Sequence, residues 1–514
     1  MNSLLVTKPQ KNKFDLSHEV KQTGNMGKLY PCYIQDVIPG DSFRVNTQQM
    51  VRFSPLLAPM MHNVDFKLDY FFVPYRLVWD EWKDFITGGE DGNDLPSFPK
   101  FIINNFSSTQ QYFTKGSLAD YLGVPPTESS MSGVQDGGAW TAVSSSSANQ
   151  HYISALPFRA YQLIYHEYFR DQNVGTEYEQ HRTSGNLSYS QAPDTLVLRN
   201  SNWEKDYFTS ALPFLQRGTE VELPIGTISS SSDNSSTGDL QMNAGQIQIV
   251  NNQGTFDTDL VAEAVTINEL RKATALQRWL EIMARAGSRY REQIFAIFGE
   301  RIPDYTVQVP QYLGGGKTPI MISEVLSTYQ SEADTQNDRP QGDMSGHALG
   351  LGDGIGFQQS FDEHGIVLGL CRIIPKASYV QGLNKFWQKF DKFDHYFPQF
   401  ANLGEQEVHN KELFIKGDKT TDDQVFGYQQ RYAEYKYAQN RIAGDFRDTL
   451  AHWELSRRFN DHELLDQSFV ECDETEVNRI FALKDSPEDK IWISLYHKVD
   501  ALRPMPYHSN PTLS

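Results

Sequence analysis

Residues 44–75 read RVNTQQMVRFSPLLAPMMHNVDFKLDYFFVPY, and this stretch decides the fold. Apolar and polar side chains alternate over its first ten residues and again from Val64 onward. Successive side chains of a β-strand point to opposite faces, so this two-residue period predicts two strands. In the second strand, one face is entirely apolar and consists of Val64, Phe66, Leu68, Tyr70 and Phe72.

Prolines mark the limits of these two strands. Proline has no amide hydrogen to donate to a β-ladder, so Pro55, Pro59 and Pro74 are predicted at strand ends or edges. Two later stretches share the strand signature: IVLGLCRII at 366–374 and IWISLYHKV at 491–499. Strands are therefore expected near both ends of the chain.

Helical patterns lie between the strand patterns. From Thr266, apolar positions recur every three or four residues, which predicts one long amphipathic helix. A second helix is predicted for YQLIYHEYF after Pro157, and a third for RYAEYKYAQNRI with its continuation FRDTLAHWELSRRF. The helices do not alternate regularly with strands, which argues against a doubly wound parallel sheet.

Composition excludes several classes of protein. The 514 residues are 39% hydrophobic and 12% aromatic, enough for a large core with wide packed surfaces. Three cysteines far apart, Cys32, Cys371 and Cys472, predict neither a zinc site nor a disulfide framework. The chain has no apolar run of transmembrane length, so neither membrane insertion nor export is predicted.

Charge is distributed unevenly along the chain. The formal net charge is −19, which argues against a protein that neutralises nucleic acid over its whole surface. No Lys or Arg occurs between Arg217 and Arg271, between Lys115 and Arg159, or between Arg339 and Arg372. These stretches largely coincide with polar, low-complexity segments at 127–150, 226–254 and 330–356, which are predicted to be surface loops facing away from any enclosed polyanion.

Basic residues concentrate near the N-terminus and in the long predicted helix. Such side chains can contact phosphates, although basic helices are commonly solvated or face another subunit with Glu partners. A mixed aromatic and basic segment at 431–441 allows base stacking or packing within an interface. The candidate nucleic-acid contacts are Lys8, Lys11, Lys13, Arg271, Lys272, Arg278, Arg285, Arg289 and Arg291.

Motifs for catalysis or cofactor binding are incomplete. The string GGGKT at 314–318 lacks the earlier glycine of a phosphate-binding loop, because Gln311 occupies that position, and is predicted to be a glycine turn between two strands. His166-Glu167 lacks a second histidine one turn later, and His452, Glu454 and His462 lack the spacing of metal ligands on one helix face. The sequence therefore predicts no catalytic residue, metal or cofactor.

Several long stretches, in order along nearly the whole chain, resemble one family. They include HEVKQTGNMGKLYP, RFSPLLAPMMHNVDFKLDYFFVPYRLVWDEWKDFI, KDYFTSALPFLQRG, LPFRAYQLIYHEYFRDQN, INELRKATALQRWLEIMARAGSRYREQI and FGYQQRYAEYKYAQNR. In these stretches the sequence resembles the major capsid protein of microviruses, and most of all that of the gokushovirus branch.

The resemblance implies a mainly β fold, an eight-stranded antiparallel viral jelly roll with long, partly helical insertions between strands. It implies a T=1 icosahedral shell around circular single-stranded DNA, with a small basic DNA-binding virion protein as partner. Such a protein resides in the virion and assembles in the cytoplasm of a bacterial host.

The resemblance also implies a division of the chain. Residues 1–40 are expected to form a partly basic internal arm, and 41–514 the jelly-roll domain, with insertions at about 116–158, 218–301 and 327–364. Residues 218–265 are the candidate surface protrusion, which together with the other outer loops would meet a host surface receptor.

Two other functions fit the composition. A receptor-binding spike or adhesin would share the Ser/Gly-rich loops but should form trimers or fibres. A β-sandwich glycoside hydrolase would also be acidic and rich in aromatic residues, but it needs two carboxylates facing each other across a cleft, and the sequence designates no such pair.

Overall fold

The computed structural model describes residues 10–103, 112–126, 151–177, 180–187, 193–219, 221, 239–243, 246–250, 267–326, 344–483 and 487–508. The chain divides into two compact units. The first unit comprises Met1–Pro213 and Glu300–Ser514, and the second comprises Phe214–Gly299.

The described residues form seventeen strands and eleven α-helices. The strands are β1 (Asn12–Asp15), β2 (His18–Gly24), β3 (Tyr30–Val37), β4 (Ser42–Phe53), β5 (Val64–Pro74), β6 (Lys100–Ile103), β7 (His151–Ser154), β8 (Asn186–Leu187), β9 (Asp239–Asn243), β10 (Gln246–Val250), β11 (Gln311–Pro319), β12 (Met321–Leu326), β13 (Met344–Ser360), β14 (Gly365–Pro375), β15 (Glu405–His409), β16 (Val425–Gln430) and β17 (Ile491–Arg503). The helices are α1 (Tyr75–Val78), α2 (Trp82–Thr87), α3 (Leu118–Tyr121), α4 (Leu156–Ile164), α5 (Ile267–Ala286), α6 (Tyr290–Phe298), α7 (Asp304–Val307), α8 (Asn410–Leu413), α9 (Lys419–Asp422), α10 (Gln467–Val470) and α11 (Glu474–Val477).

Two antiparallel sheets dominate the first unit. The larger has six strands in the order β1-β17-β4-β13-β12, and β2 also pairs with β17, along Ile491–His497. The smaller has four strands in the order β11-β5-β14-β3. The fold is therefore mainly β and antiparallel, as the resemblance implies, and the four strands predicted from the sequence are confirmed as β4, β5, β14 and β17.

The main core lies between these two sheets. On β4 and β17 every second side chain is buried, including Phe43, Val45 and Ile493, while the alternate positions are partly or fully exposed. Their partners come from the four-stranded sheet, where Phe66 and Leu68 are fully buried in the same cluster. This is the arrangement of a β-sandwich, in which each sheet contributes one apolar face.

The four-stranded sheet is covered on its second face as well. Phe71 on β5 and Leu368 on β14 point away from the sandwich core and pack with Phe158 and Tyr161 of α4. A strand covered on both sides should be apolar almost without interruption. This explains why IVLGLCRII carries no alternation: every residue of β14 except Arg372 is buried.

Three predictions about local structure are wrong. The GGGKT segment is not a turn; its glycines lie within β11, which pairs with β5 and bulges between Tyr312 and Gly314. Glycine is required there for close approach, because a Cβ on Gly315 would lie 2.7 Å from the Leu68 carbonyl oxygen. The phosphate-loop interpretation stays rejected, since the segment is paired as a strand.

The polar segment 330–356 is also not a loop throughout. From Met344 it belongs to the seventeen-residue strand β13, which pairs with β4 and β12, and residues 330–343 lie outside the described part of the chain. Its many glycines misled the prediction. Gly356 is needed for tight strand packing, because a Cβ there would come within 2.0 Å of the Val45 carbonyl oxygen.

The third predicted helix, over residues 431–459, does not form. The segment contains only short 3₁₀ turns at Ala433–Tyr435, Gly444–Arg447 and Ala451–Trp453. Tyr432, Leu455 and Phe459 are buried whereas Tyr435 and Tyr437 are exposed, so the helical spacing does not correspond to one buried helix face. The helix after Pro157 is confirmed as α4, which continues as a π-helical turn over Tyr165–Phe169.

The remaining segments of interest are only partly described. Residues 12–37 contribute β1, β2 and β3 to the two main sheets, so much of the expected N-terminal arm is built into the sandwich. Residues 127–150 lie outside the described part of the chain, and within 226–254 only the β9–β10 hairpin is described. Among the described residues, no helix is long and apolar enough to cross a membrane.

Candidate functional site

The predicted basic helix is two helices, α5 and α6, in the second unit. They are interrupted at Gly287, which has a positive φ of 103° that favours glycine. On α5, Arg271, Arg278 and Arg285 follow one another at seven-residue intervals and are all exposed. Seven residues are almost two helical turns, so the three guanidinium groups line one side of the helix about 10 Å apart.

The candidate basic residues of this unit differ in how far they are already engaged. Arg289 lies 3.4 Å from the Glu292 carboxylate and, like Arg291, is only partly exposed. Arg271, Lys272 and Arg278 are exposed and make no ion pair with any described residue. These three cations therefore have the most charge to offer a polyanion.

A cavity of about 590 Å³ lies between α5 and α6. Leu270, Trp279 and Ile297 supply apolar walls, and Arg271 and Arg278 also line the cavity. Trp279 keeps 45% of its surface exposed. An exposed indole beside guanidinium groups has the chemistry to stack an unpaired base while its phosphates are neutralised.

The N-terminal candidates are less suited to that role. Lys8 lies outside the described residues, and Lys11 precedes β1 as an exposed side chain. Lys13, on β1, is 2.7 Å from the Asp500 carboxylate on the paired strand β17. The lysines belong to the first unit and the helix arginines to the second, and each set is considered by itself.

The aromatic and basic segment at 431–441 is engaged in packing. Tyr432 is buried, and the Arg431 guanidinium donates a 3.2 Å hydrogen bond to the Phe393 carbonyl. Tyr435 lies beneath the Lys389 ammonium, which is 3.5 Å from its ring centroid. Tyr435 and Tyr437 keep 53% and 45% of their surface exposed, so base stacking and packing within an interface both stay predictions for this segment.

A cluster of charged residues lies on the helix-covered side of the four-stranded sheet and resembles, at first sight, a catalytic centre. Burial raises the pKa of Asp69, although Arg372, 3.7 Å away, opposes the rise. Asp65 lies 3.6 Å from Lys317, and Glu204 pairs with Lys67. Each carboxylate is matched to a cation, unlike the acid and base pair of a glycosidase.

The histidines considered as metal ligands are dispersed. His462 Nε2 contacts the Asp422 carboxylate at 2.9 Å, whereas Glu454 accepts hydrogen bonds from Ser456 and Arg458. No group of three or more potential ligands occurs among the residues that the structure describes. The three cysteines are buried free thiols, and burial raises the pKa of Cys32 and Cys472.

A buried polar chain crosses the sandwich core at His497. Its Nε2 lies 3.0 Å from the Cys32 carbonyl, which can only accept, so Nε2 carries the proton. Nδ1 then accepts from the Thr47 hydroxyl at 2.8 Å, and that hydroxyl also contacts the Tyr70 phenol. The rings of His18 and Tyr33 pack 5.3 and 5.1 Å away.

Acid should destabilise the sandwich through His497. Burial, reinforced by His18, lowers the pKa of His497 to about 4, against 6.5 when unfolded. The unfolded chain therefore takes up a proton first, and stability is lost as the pH falls from about 6.5 to about 4, by roughly 3 kcal/mol in total.

The measurement is urea denaturation of the purified chain at pH 7 and pH 4.5. His497→Gln should start less stable at pH 7 but lose less stability on acidification than the wild type. An identical acid-induced loss in both proteins would show that His497 is not the group responsible.

Comparison with known proteins gives matches over nearly the whole chain. A family model described as Capsid protein (F protein) matches residues 4–513. The chain is 32% identical to capsid protein VP1 of Chlamydia phage 1, covering 98% of this chain and 96% of that protein. It is 31% identical to VP1 of Bdellovibrio phage phiMH2K and 26% identical to VP1 of Spiroplasma virus 4, each over 98% of this chain and 95% of the relative.

Proposed function

Because this chain belongs to the phage capsid protein (F protein) family, we propose that it is the subunit of a T=1 icosahedral shell enclosing circular single-stranded DNA. The observation that carries the proposal is the family match over residues 4–513, which leaves no described unit of the chain unaccounted for. The role is structural, and no catalytic step is assigned to any residue. Closure is driven by apolar burial between copies, and symmetry fixes the geometry of the contacts.

The proposed fold is an eight-stranded jelly roll, and strand pairing supports it. Its eight strands, in chain order, are β2, β3, β4, β5, β11, β13, β14 and β17. The first pairs with the eighth, the second with the seventh, the third with the sixth and the fourth with the fifth. That is one long antiparallel hairpin, and the added β17–β4 and β14–β5 pairs roll it into two sheets.

The long connections of this jelly roll carry the remaining functions. The connection from the fourth to the fifth strand spans 75–310 and includes the whole second unit, Phe214–Gly299. Residues 218–265 of this connection are proposed to form a surface protrusion that meets a host receptor. The absence of Lys and Arg from that stretch suits an outward position.

The net charge of −19 requires help to package a polyanion. We assign most of the neutralisation to a small basic protein inside the particle, and local contacts to the basic candidates of this chain. Arg271, Lys272 and Arg278 are the strongest of these, because they are exposed and make no ion pair with a described residue. Assembly would take place in the host bacterial cytoplasm.

Reversing charge on α5 should reduce DNA retention. In the double variant Arg278→Glu/Arg285→Glu, repulsion replaces phosphate contacts, and particles should keep several-fold less nuclease-protected DNA at 0.15 M salt. Lys83→Glu/Lys419→Glu, on the first unit, is the control with the same change in net charge. Equal DNA content in both variants would contradict an inward, DNA-facing α5.

The proposed function is tested by expressing the full chain, fractionating it on a density gradient and imaging the fractions by electron microscopy. Isometric particles of one diameter are expected. Trimers or fibres would instead support a receptor-binding spike, and an exclusively monomeric protein that cleaves glycosides would support the hydrolase.

A further inference from the structure

Among the described residues of the first unit, a stretch after β14 exposes a group of large apolar side chains. Residues 384–403, NKFWQKFDKFDHYFPQFANL, are called here the aromatic segment. The Phe390 ring is 90% exposed, and Phe386 and Trp387 are each 67% exposed. An exposed apolar surface of this density marks an interaction site. The exposed large apolar side chains of the segment are Phe386, Trp387, Phe390, Phe393, Tyr396, Phe397 and Leu403.

The aromatic segment is held in place by its polar side chains. Lys385 donates to the Glu407 carbonyl at 2.8 Å and lies 3.5 Å from the Glu412 carboxylate. Lys389 lies 3.4 Å from Glu434, and both of these side chains are buried. These two lysines thus anchor the segment to the protein, while Phe386, Trp387 and Phe390 remain exposed beside them.

Turns within the aromatic segment strengthen this arrangement. The Asp394 carboxylate accepts backbone hydrogen bonds from Phe390 and Asp391, at 3.0 and 2.9 Å. On the protein side, the Phe393 carbonyl accepts from Arg431. A surface whose shape is already fixed loses little conformational entropy when it is covered.

The uncovered area matches what one partner contributes to a stable interface. The exposed parts of the six rings amount to roughly 700 Å², taking about 200 Å² for a whole aromatic side chain. A stable protein–protein interface buries about 800 Å² on each partner. The aromatic segment therefore provides nearly enough surface for a contact by itself.

The charges of the aromatic segment indicate which kind of partner covers it. Lys385 and Lys389 are bound to carboxylates of the same chain, and the exposed Asp391 and Asp394 outnumber the one exposed lysine of the segment, Lys392. This favours neither DNA nor an anionic lipid surface. We infer that a second copy of this chain covers the aromatic segment, so that the segment forms a contact between neighbouring subunits of the shell; this rests on the proposed function.

The test compares three full-length proteins in the same assembly assay, read by density gradient and electron microscopy. Wild type should form particles, whereas Trp387→Ser/Phe390→Ser should remain as folded subunits with at least a ten-fold loss of particles. Leu95→Ser, which removes an isolated side chain that is 87% exposed, is the control and should assemble like wild type. Circular dichroism and urea denaturation show that the double variant is folded.

The outcomes of this test distinguish the proposed function from the inference about the aromatic segment. Failure of wild type to assemble would count against the proposed function, whereas normal assembly of the double variant would overturn only this inference. A photoreactive benzoylphenylalanine at position 390 gives a second readout that does not depend on loss of assembly. Cross-links from assembled wild-type-like particles should map to peptides of this chain; cross-links to DNA or lipid alone would overturn the inference.

Discussion

Replacing Arg457 with alanine is expected to lower the free energy of unfolding by about 3–5 kcal/mol. The side chain is 2% exposed, and its Nε and one terminal nitrogen bind both oxygens of Glu476, at 3.0 and 3.2 Å. The other nitrogen donates to the Phe469 carbonyl at 2.7 Å. Alanine would leave the Glu476 carboxylate and this carbonyl without their donors and would open a cavity.

Aromatic rings packed around the Arg457 guanidinium add to the stability that is lost when this side chain is removed. The Arg457 guanidinium lies 4.4 Å from the centroid of Phe469 and 5.1 Å from that of Trp203. The control is Lys416→Ala, which breaks a 2.9 Å contact with Asp461 at the surface and should cost less than about 1 kcal/mol. Urea denaturation of dissociated subunits measures both, and similar costs would contradict the assigned role of Arg457.

The second large effect tests the layering of the sheets. Phe66 and Phe71 lie on opposite faces of β5, and both are buried, the first between the two sheets and the second against α4. Phe66→Ala and Phe71→Ala should therefore each lower the free energy of unfolding by about 3–5 kcal/mol. A sheet with one solvent-exposed face would give a large cost for only one of them.

The six-stranded sheet should behave differently. On β17, Ile493 points into the core, whereas Tyr496 is 40% exposed on the opposite face. Ile493→Ala should cost about 2–5 kcal/mol and Tyr496→Ala less than about 1.5 kcal/mol. The free energy of unfolding is measured on dissociated subunits. An equal decrease in both variants would contradict a solvent-exposed face on the side of the six-stranded sheet that carries Tyr496.

Much of the β-structure could be predicted because burial imposes a simple period. The alternation at 44–53 and 64–72 corresponds to strands with a buried face, and the uninterrupted apolar run at 366–374 corresponds to a strand buried on both. The helix pattern from Thr266 correctly gave helical structure, but the break at Gly287 divides it into two helices. A local hydrophobic pattern predicts a strand or helix where burial is uniform along that element.

The errors arise where tertiary packing overrides local preference. Glycine is a poor strand residue in isolation, yet Gly315 and Gly356 sit in strands because neighbouring backbones approach too closely for a Cβ. The residues at 431–459 have a helical spacing but form only short 3₁₀ turns, in which Tyr432 is buried and Tyr435 is exposed. A short window of sequence shows neither the close approach of neighbouring backbones at these glycines nor the burial of single side chains at 431–459.

Site prediction was similarly partial. Arginine spacing on α5 could be read from the sequence, because seven residues return to the same helix face. The buried chain through His497 could not, since it joins Thr47, Tyr70 and Cys32 from three other strands. The density of aromatic residues in 384–403 was a usable signal for a surface contact, but only the structure shows that these rings are uncovered.

The most direct test of the account is the mass of the assembled particle, measured by charge-detection mass spectrometry after nucleic acid and other proteins are removed. A T=1 shell predicts sixty copies, and hence sixty times the 58.7 kDa mass of one chain. A protein that stays a monomer or stops at a trimer, with no closed particle under any condition in which it is folded, would contradict the account.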